Sequence, residues 1–271
     1  MTDAPDMHAP VGSDFYYASL YYPPRVRTTL NLIESLRREL LDIPASCSDR
    51  GVAHIKLAWW REELGTPPDT APRHHLSRAL RASAPALAPL FAALAARVAQ
   101  GLGAEPPADD AALAAALEAL HGDVVGALVT HAGGGDDLAR ASLVALAGLV
   151  ERANALGALR QHRNGGWLYL SRATLAAHGL GTDALRYATR SSELGTLVSA
   201  ECARVQAALE RGLAQLPRAT RRRQRLVVTL ARIARARLVL TQADGCAVLE
   251  RRVEPTPVSK LGLAWRTRWW G

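Results

Sequence analysis

Four arginines, Arg221, Arg225, Arg232 and Arg235, follow one another at spacings of four, seven and three in a helix-compatible stretch. Those spacings place them on one face of a helix, where they form either an anion-binding stripe or an ordinary solvated surface. The stretch carries no recognised nucleic-acid motif and little aromatic interleaving, so it does not favour nucleic acid as the partner. Other reactive residue types fall in less useful patterns. His74 and His75 are adjacent and do not share a helix face, which makes them poor metal ligands. The three cysteines, Cys47, Cys202 and Cys246, are far apart and show neither a CxxC spacing nor a disulfide framework. The run Gly133-Gly134-Gly135-Asp136-Asp137 lacks the Lys-Ser/Thr of a phosphate loop. Carboxylates four residues apart, the spacing that aims two acids at one cation, occur only as Glu105/Asp109 and Glu250/Glu254. Both pairs lie beside prolines in expected loops.

The elements that must position such groups read as helices throughout. Apolar residues make up 49% of the 271-residue chain. Alanine and leucine dominate, both are strong helix formers, and no segment alternates convincingly as a strand. One all-α domain is expected. A helix is expected from about Arg25, ending where Pro44 and the polar run Ser46–Asp49 interrupt it. Asp49 is placed to cap a second helix, whose apolar face is read as Val52, Ile55 and Trp59. Further helices are expected over 84–102, over 109–132 with a kink at His121-Gly122-Asp123, over 138–162, over 193–216 and over 218–243. A short one closes on Gly179, a suitable C-terminal cap. The tail from Pro257 mixes Trp265, Trp269 and Trp270 with Lys260, Arg266 and Arg268. It suits a membrane surface, a partner groove or a terminal helix docked on the core.

The net charge of +8 points to anionic partners: diphosphates, acidic lipid headgroups or nucleic acid. The first residues are polar and acidic and do not form a signal peptide. No charge-free apolar run reaches about 18 residues, so no membrane-spanning helix is expected. A cytoplasmic protein, with peripheral contact to a membrane as an option, is the expectation.

Three blocks and their order along the chain resemble the squalene/phytoene synthase family of head-to-head isoprenyl diphosphate synthases. They are SDFYYASLYYPPRVRTTL, RRELLDIPASCSDRGVAHIKLAWWREEL and LGALRQHRNGGWLYLSRATLAAHGL. The KLAWW helix after its CSD turn is similar to a degenerate branch related to mitochondrial complex I assembly factors. The resemblance implies an all-α, isoprenoid synthase-like helical bundle around a central cavity. The squalene/phytoene synthase-like domain is expected over 14–250, between a segment 1–13 read as disordered and a basic, Trp-rich tail 251–271. In active members two Asp-rich motifs face each other across the cavity and hold Mg²⁺, which neutralises the departing diphosphate.

At both motifs the sequence departs from that pattern. The first falls on Leu41, Asp42, Ile43, Pro44 and Ala45, so only Asp42 remains, with Glu39 three residues before it. After Arg160 come Gln161, His162, Arg163, Asn164 and two glycines, with no acid before Ser171. Arg160, His162 and Arg163 would bind an anion directly and repel Mg²⁺. The resemblance thus nominates Tyr17, Arg38, Asp42, Arg160, His162, Arg163 and Tyr169 for binding. Asp42 and Tyr169 are the candidates for any chemistry, and no metal ligand is nominated. The expected protein is non-catalytic: it binds an isoprenoid diphosphate or another apolar ligand with an anionic head, or serves in assembly. No cofactor is expected. The alternative is an active prenyltransferase condensing two allylic diphosphates, which would require Mg²⁺.

Overall fold

The fold of the chain is described by a computed structural model. It describes residues 9–67, 69–134, 137–159, 169–182, 192–244 and 253–270. The helices are α1 (Asp14–Ser19), α2 (Pro24–Leu41), α3 (Ile43–Ser46), α4 (Arg50–Leu64), α5 (His75–Ser83), α6 (Ala88–Gly101) and α7 (Asp110–Gly133). They continue with α8 (Asp137–Gly157), α9 (Arg172–Ala177), α10 (Ser192–Gln215), α11 (Arg218–Arg223), α12 (Arg225–Ala243) and α13 (Pro257–Trp270). No strand occurs among the described residues. Residues 1–8 of the segment expected to be disordered lie outside the described residues, whereas Ala9 is buried and the Ser13 hydroxyl caps α1.

Two apolar clusters build the bundle, and the seam between them matters most for function. The first gathers α2, α4, α5 and α6 around Leu30, Leu36, Leu57 and Phe91. The second gathers α8, α10 and α12 around Leu143, Leu156, Leu197 and Val228. Helix α7 serves both, giving Leu120, Val124 and Leu128 to the first cluster and Val125 and Val129 to the second. It is the one described helix long and apolar enough to cross a membrane, and about half of it (56% of its most apolar window) is buried within the bundle. The helical pattern is unbroken from Asp110 to Gly133, through the His121-Gly122-Asp123 position where a kink is expected. A third, small cluster of Tyr17, Ile233 and Ala264 joins α1 and α13 to α12.

The hairpin at the head of the chain forms where its residue types require it. Pro24 begins α2, where a missing N–H is harmless. The helix yields at Leu41 to the short turn of α3, which contains Pro44. The Asp49 carboxylate accepts from the Val52 amide at 3.0 Å and starts α4. Asp49→Ala is expected to cost about 1 kcal/mol, as such caps do, measurable as a lowered urea midpoint at unchanged slope.

The apolar face of α4 is not the one expected. Val52 and Ile55 are 46% and 71% exposed, and the helix buries Ala53, Leu57, Trp60 and Leu64 instead. Both stripes have helical spacing and both contain a tryptophan, so periodicity alone does not choose between them. Trp60 stacks edge-on against His74, which caps α5 by accepting from the Leu76 amide. That is a structural use of the histidine pair. The single helix expected over 218–243 breaks at Gln224, whose buried side chain donates to the Val129 carbonyl at 3.1 Å. Gly179 (φ +67°) ends α9 in the left-handed conformation that glycine adopts without strain.

Candidate functional site

Where the two clusters meet, the bundle encloses a cavity of about 610 Å³. Its apolar lining includes Phe15, Leu120, Val125, Leu128, Val150 and Val227, drawn from four helices that face the seam. Its polar groups fall into three sets.

One wall carries Glu34, Arg37, Glu151 and Tyr169. The Arg37 guanidinium grips both Glu34 oxygens, at 2.7 and 3.0 Å, and donates to Glu151 at 3.1 Å. Burial works against the charge on Arg37, but the two carboxylates outweigh it and hold the guanidinium protonated. Burial, reinforced by the negative charge of Glu151, pushes the Tyr169 phenol upward, so it stays neutral. Beside this group, on α7, His121 is buried with neither ring nitrogen hydrogen-bonded among the described residues. Burial, with Arg37 adding to it and Glu151 opposing, pulls its pKa down to about 4.

Tyr169 owes its place to the segment that follows it. The Arg172 and Ala173 amides donate to the Pro107 and Ala108 carbonyls at 2.8 and 3.0 Å. The Ser171 hydroxyl donates to Asp110 at 3.0 Å, and the same oxygen accepts from the Thr174 amide to start α9. Burial opposes ionisation of Asp110, but Arg204, the Ser171 hydroxyl and Arg152 together lower its pKa. Arg152 also meets Glu201 at 2.6 Å, so the support for Tyr169 reaches into α8 and α10.

At another edge of the cavity stand Asp14, Asn154, Glu254 and Lys260. The Lys260 ammonium, almost fully buried, meets Asp14 at 2.8 Å, Glu254 at 3.1 Å and the Gly12 carbonyl at 3.1 Å. Arg237 reaches Asp14 at 2.5 Å and also donates to Asn154. Gly157 makes room for it, since a Cβ there would stand 2.6 Å from the Arg237 Cδ. These contacts tie the N-terminal helix and the C-terminal helix to the bundle.

The third set faces solvent and includes two residues nominated from sequence. Arg38 and Asp42 line the cavity beside Leu41 and Ala45. Their side chains are 43% and 67% exposed and approach only to 4.0 Å, the loosest ion pair of the site. Tyr169 also lines the cavity. Tyr17 is not part of the lining: it is buried against Ile233 and Ala264, its ring edge-on to Tyr16. Arg160, His162 and Arg163 lie outside the described residues.

The arginine stripe of the long C-terminal helix does not stand free. Arg221 donates to the Leu213 carbonyl, Arg225 to the Tyr21 carbonyl, Arg232 to Thr267 and Arg235 to Glu210. Arg225 also lies 4.1 Å over the Tyr22 ring. Each guanidinium is tied to a partner within the protein, but among the described residues only Arg235 meets a carboxylate, so Arg221, Arg225 and Arg232 keep their charge while held in place.

Sequence reasoning overlooked Glu34, Arg37, Glu151, Asn154, Asp14 and Lys260. A signal for the first four was present. Glu34 and Arg37 share a helix face with Leu30 and Ile33, and Glu151 and Asn154 share one with Ala147 and Val150. Charged or amide side chains inside an apolar stripe are costly unless partnered, which marks them for use.

The family model described as squalene/phytoene synthase matches residues 8–259. A solved dehydrosqualene synthase in complex with ligand superposes with a TM-score of 0.72 at 16% identity, over 95% of this chain and 91% of that one. YisP from Bacillus subtilis subsp. subtilis strain 168 gives 0.64 at 15% identity, over 93% and 89%. Squalene synthase HpnC from Alicyclobacillus acidocaldarius gives 0.63 at 18% identity, over 85% and 88%. At such identities the structural likeness establishes the isoprenoid synthase-like fold. No curated protein matches the chain significantly. None of these likenesses assigns it to the complex I assembly branch. With the family model running from the first described turn to the final helix, the chain belongs to the squalene/phytoene synthase family.

Proposed function

We propose that this protein uses the family's cavity to hold an isoprenoid diphosphate, or another apolar ligand with an anionic head, without the family's metal-dependent condensation. It then acts as a ligand-binding or assembly protein. The observation that carries this reading is how the cavity's charges are spent. Arg37 is committed to Glu34 and Glu151, and Lys260 to Asp14 and Glu254. On the solvent side Asp42 faces a cation and has Leu41 and Ala45 beside it.

Those donors do not fit a magnesium site. Mg²⁺ requires oxygen ligands in near-octahedral array, usually from more than one carboxylate and the substrate's phosphates. Leucine and alanine offer none. Among the described residues no group of three or more His, Cys, Asp or Glu is placed to hold a metal. Without a cation at the leaving group, several kcal/mol of barrier lowering is lost, or orders of magnitude in rate.

Arg38 is the cation best able to receive an anionic head. Its pairing with Asp42 is long and solvent-exposed, so turning away from it loses little. The apolar seam between the clusters would take the hydrocarbon.

Incubation with farnesyl or geranylgeranyl diphosphate and Mg²⁺ tests the reading. The expected result is a ligand-dependent rise in melting temperature with no presqualene diphosphate, squalene or phytoene formed. Robust turnover would establish the alternative, an active head-to-head prenyltransferase, and Asp42→Ala should then abolish it.

A further inference from the structure

We propose that the outward face of α13 is a docking surface for a lipid bilayer bearing anionic phospholipid. The helix has two unlike sides. Lys260, Ala264 and Thr267 point inward and are buried. Val258, Leu261, Trp265 and Trp269 follow at spacings of three, four and four on the opposite side, and all are exposed. Trp265, Trp269 and Trp270 are 46%, 58% and 61% exposed, and Trp265 and Trp270 stand edge-on to each other at 4.9 Å. Large exposed apolar side chains gathered on one helix face mark an interaction site.

Charge selects the occupant. Helix α13 contains no acidic residue. Arg266 and Arg268 are exposed and make no ion pair among the described residues. Arg268 lies 5.1 Å over the Trp269 ring, so cation and indole occupy one spot. Arg232, tied to Thr267 of α13, sits within the electrostatic reach of Arg221 and Arg266, and Arg225 within that of Arg268. A surface where arginines accumulate around α13 attracts anions. Indoles beside arginines match the headgroup zone of a bilayer, apolar on one side and wet on the other. A second copy of the chain is disfavoured, because a two-fold contact would bring the same arginines face to face.

The surface also adjoins the cavity. Lys260, on the inner side of α13, lines it together with Pro10, Val11 and Gly12, and Val11 is itself largely exposed. The docking face and one edge of the cavity are thus built from the same helix. The inference stands without the ligand reading, since vesicle binding is measured with no isoprenoid present.

The experiment is sedimentation of the full-length protein with sucrose-loaded vesicles of phosphatidylcholine alone, or containing roughly a third phosphatidylglycerol. The protein should pellet with the anionic vesicles and not the neutral ones, and added salt should release it. Arg266→Gln with Arg268→Gln should weaken binding roughly thirtyfold, about fivefold per arginine. Trp265→Ser with Trp269→Ser should abolish it while the far-ultraviolet circular dichroism stays unchanged. Equal pelleting with neutral vesicles, or wild-type binding by the tryptophan variant, would overturn the proposal. So would absence of vesicle binding together with a dimer in sedimentation velocity that the tryptophan variant loses, which would make the face a contact between copies. Failure here leaves the turnover result of the cavity untouched, so the two readings fail separately.

Discussion

Arg37→Met is expected to destabilise the fold by about 3–5 kcal/mol, the scale for removing one partner of a buried ion pair. The reason is what stays behind. The Glu34 side chain is 7% exposed, and both of its hydrogen bonds among the described residues come from Arg37. Without the guanidinium, that carboxylate stays charged in an apolar seam or takes up a proton, and either outcome is unfavourable. A thermal or guanidinium chloride titration measures the loss. Adding Glu34→Leu should recover much of it, because the stranded charge is then gone and the stripe of Leu30 and Ile33 continues through position 34. A loss below about 1 kcal/mol in the single variant would mean that water or another cation serves Glu34. The same titration separates stability from binding. If the double variant folds but no longer gains melting temperature with an isoprenoid diphosphate, the Glu34–Arg37–Glu151 set shapes the cavity for its ligand as well as holding it shut.

The sequence spoke clearly wherever local chemistry decides. Asp49 and Gly179 mark helix boundaries that the structure has, because caps and breakers act through their own backbone neighbours. Arg38, Asp42 and Tyr169, which the family blocks nominate together, all line one cavity. It spoke less clearly where the answer depends on a partner remote in sequence. Which face of α4 is buried depends on α6, and Ala53 and Leu57 win over Val52 and Ile55 through packing that periodicity does not contain. Arg237 meets Asp14 and Lys260 meets Gly12 across nearly the whole chain, so nothing local announces either contact. Tyr17 shows the limit of a motif. Its neighbourhood resembles the family's opening segment, yet its ring packs into the small cluster under α13 and not into the cavity.

His121→Leu should remove an acid sensitivity that the wild type shows between about pH 6.5 and pH 4. The imidazole is buried with both nitrogens unpartnered among the described residues, and its pKa falls from 6.5 to about 4. In the unfolded chain it takes a proton near pH 6.5, whereas in the folded chain it resists until about pH 4. The unfolded state therefore binds more protons throughout that window, and stability falls as pH falls. That lowering of the pKa, from 6.5 to about 4, amounts to about 3 kcal/mol, fully lost below pH 4. The charges it faces do not rescue it, since Glu151 favours the imidazolium but Arg37 opposes it. Other groups occupy different windows or smaller shares. Asp14, Glu63 and Asp110 have lowered pKa values, so their contribution is present above the ordinary carboxylate range and is lost as pH falls below it. His74 is lowered too, by burial and then by His75, but it is far less buried and leaves a residual slope in the variant. Guanidinium chloride midpoints from pH 7.5 to 4.5 decide the matter. The leucine variant should match or exceed the wild type at the neutral end, because a buried, unpartnered polar ring is replaced by an apolar side chain, and its advantage should widen as the pH drops. Parallel curves would mean that the ring is neutralised in place by Glu151, and the polar wall of the cavity would then carry its charge differently from the arrangement of Arg37 and its two carboxylates.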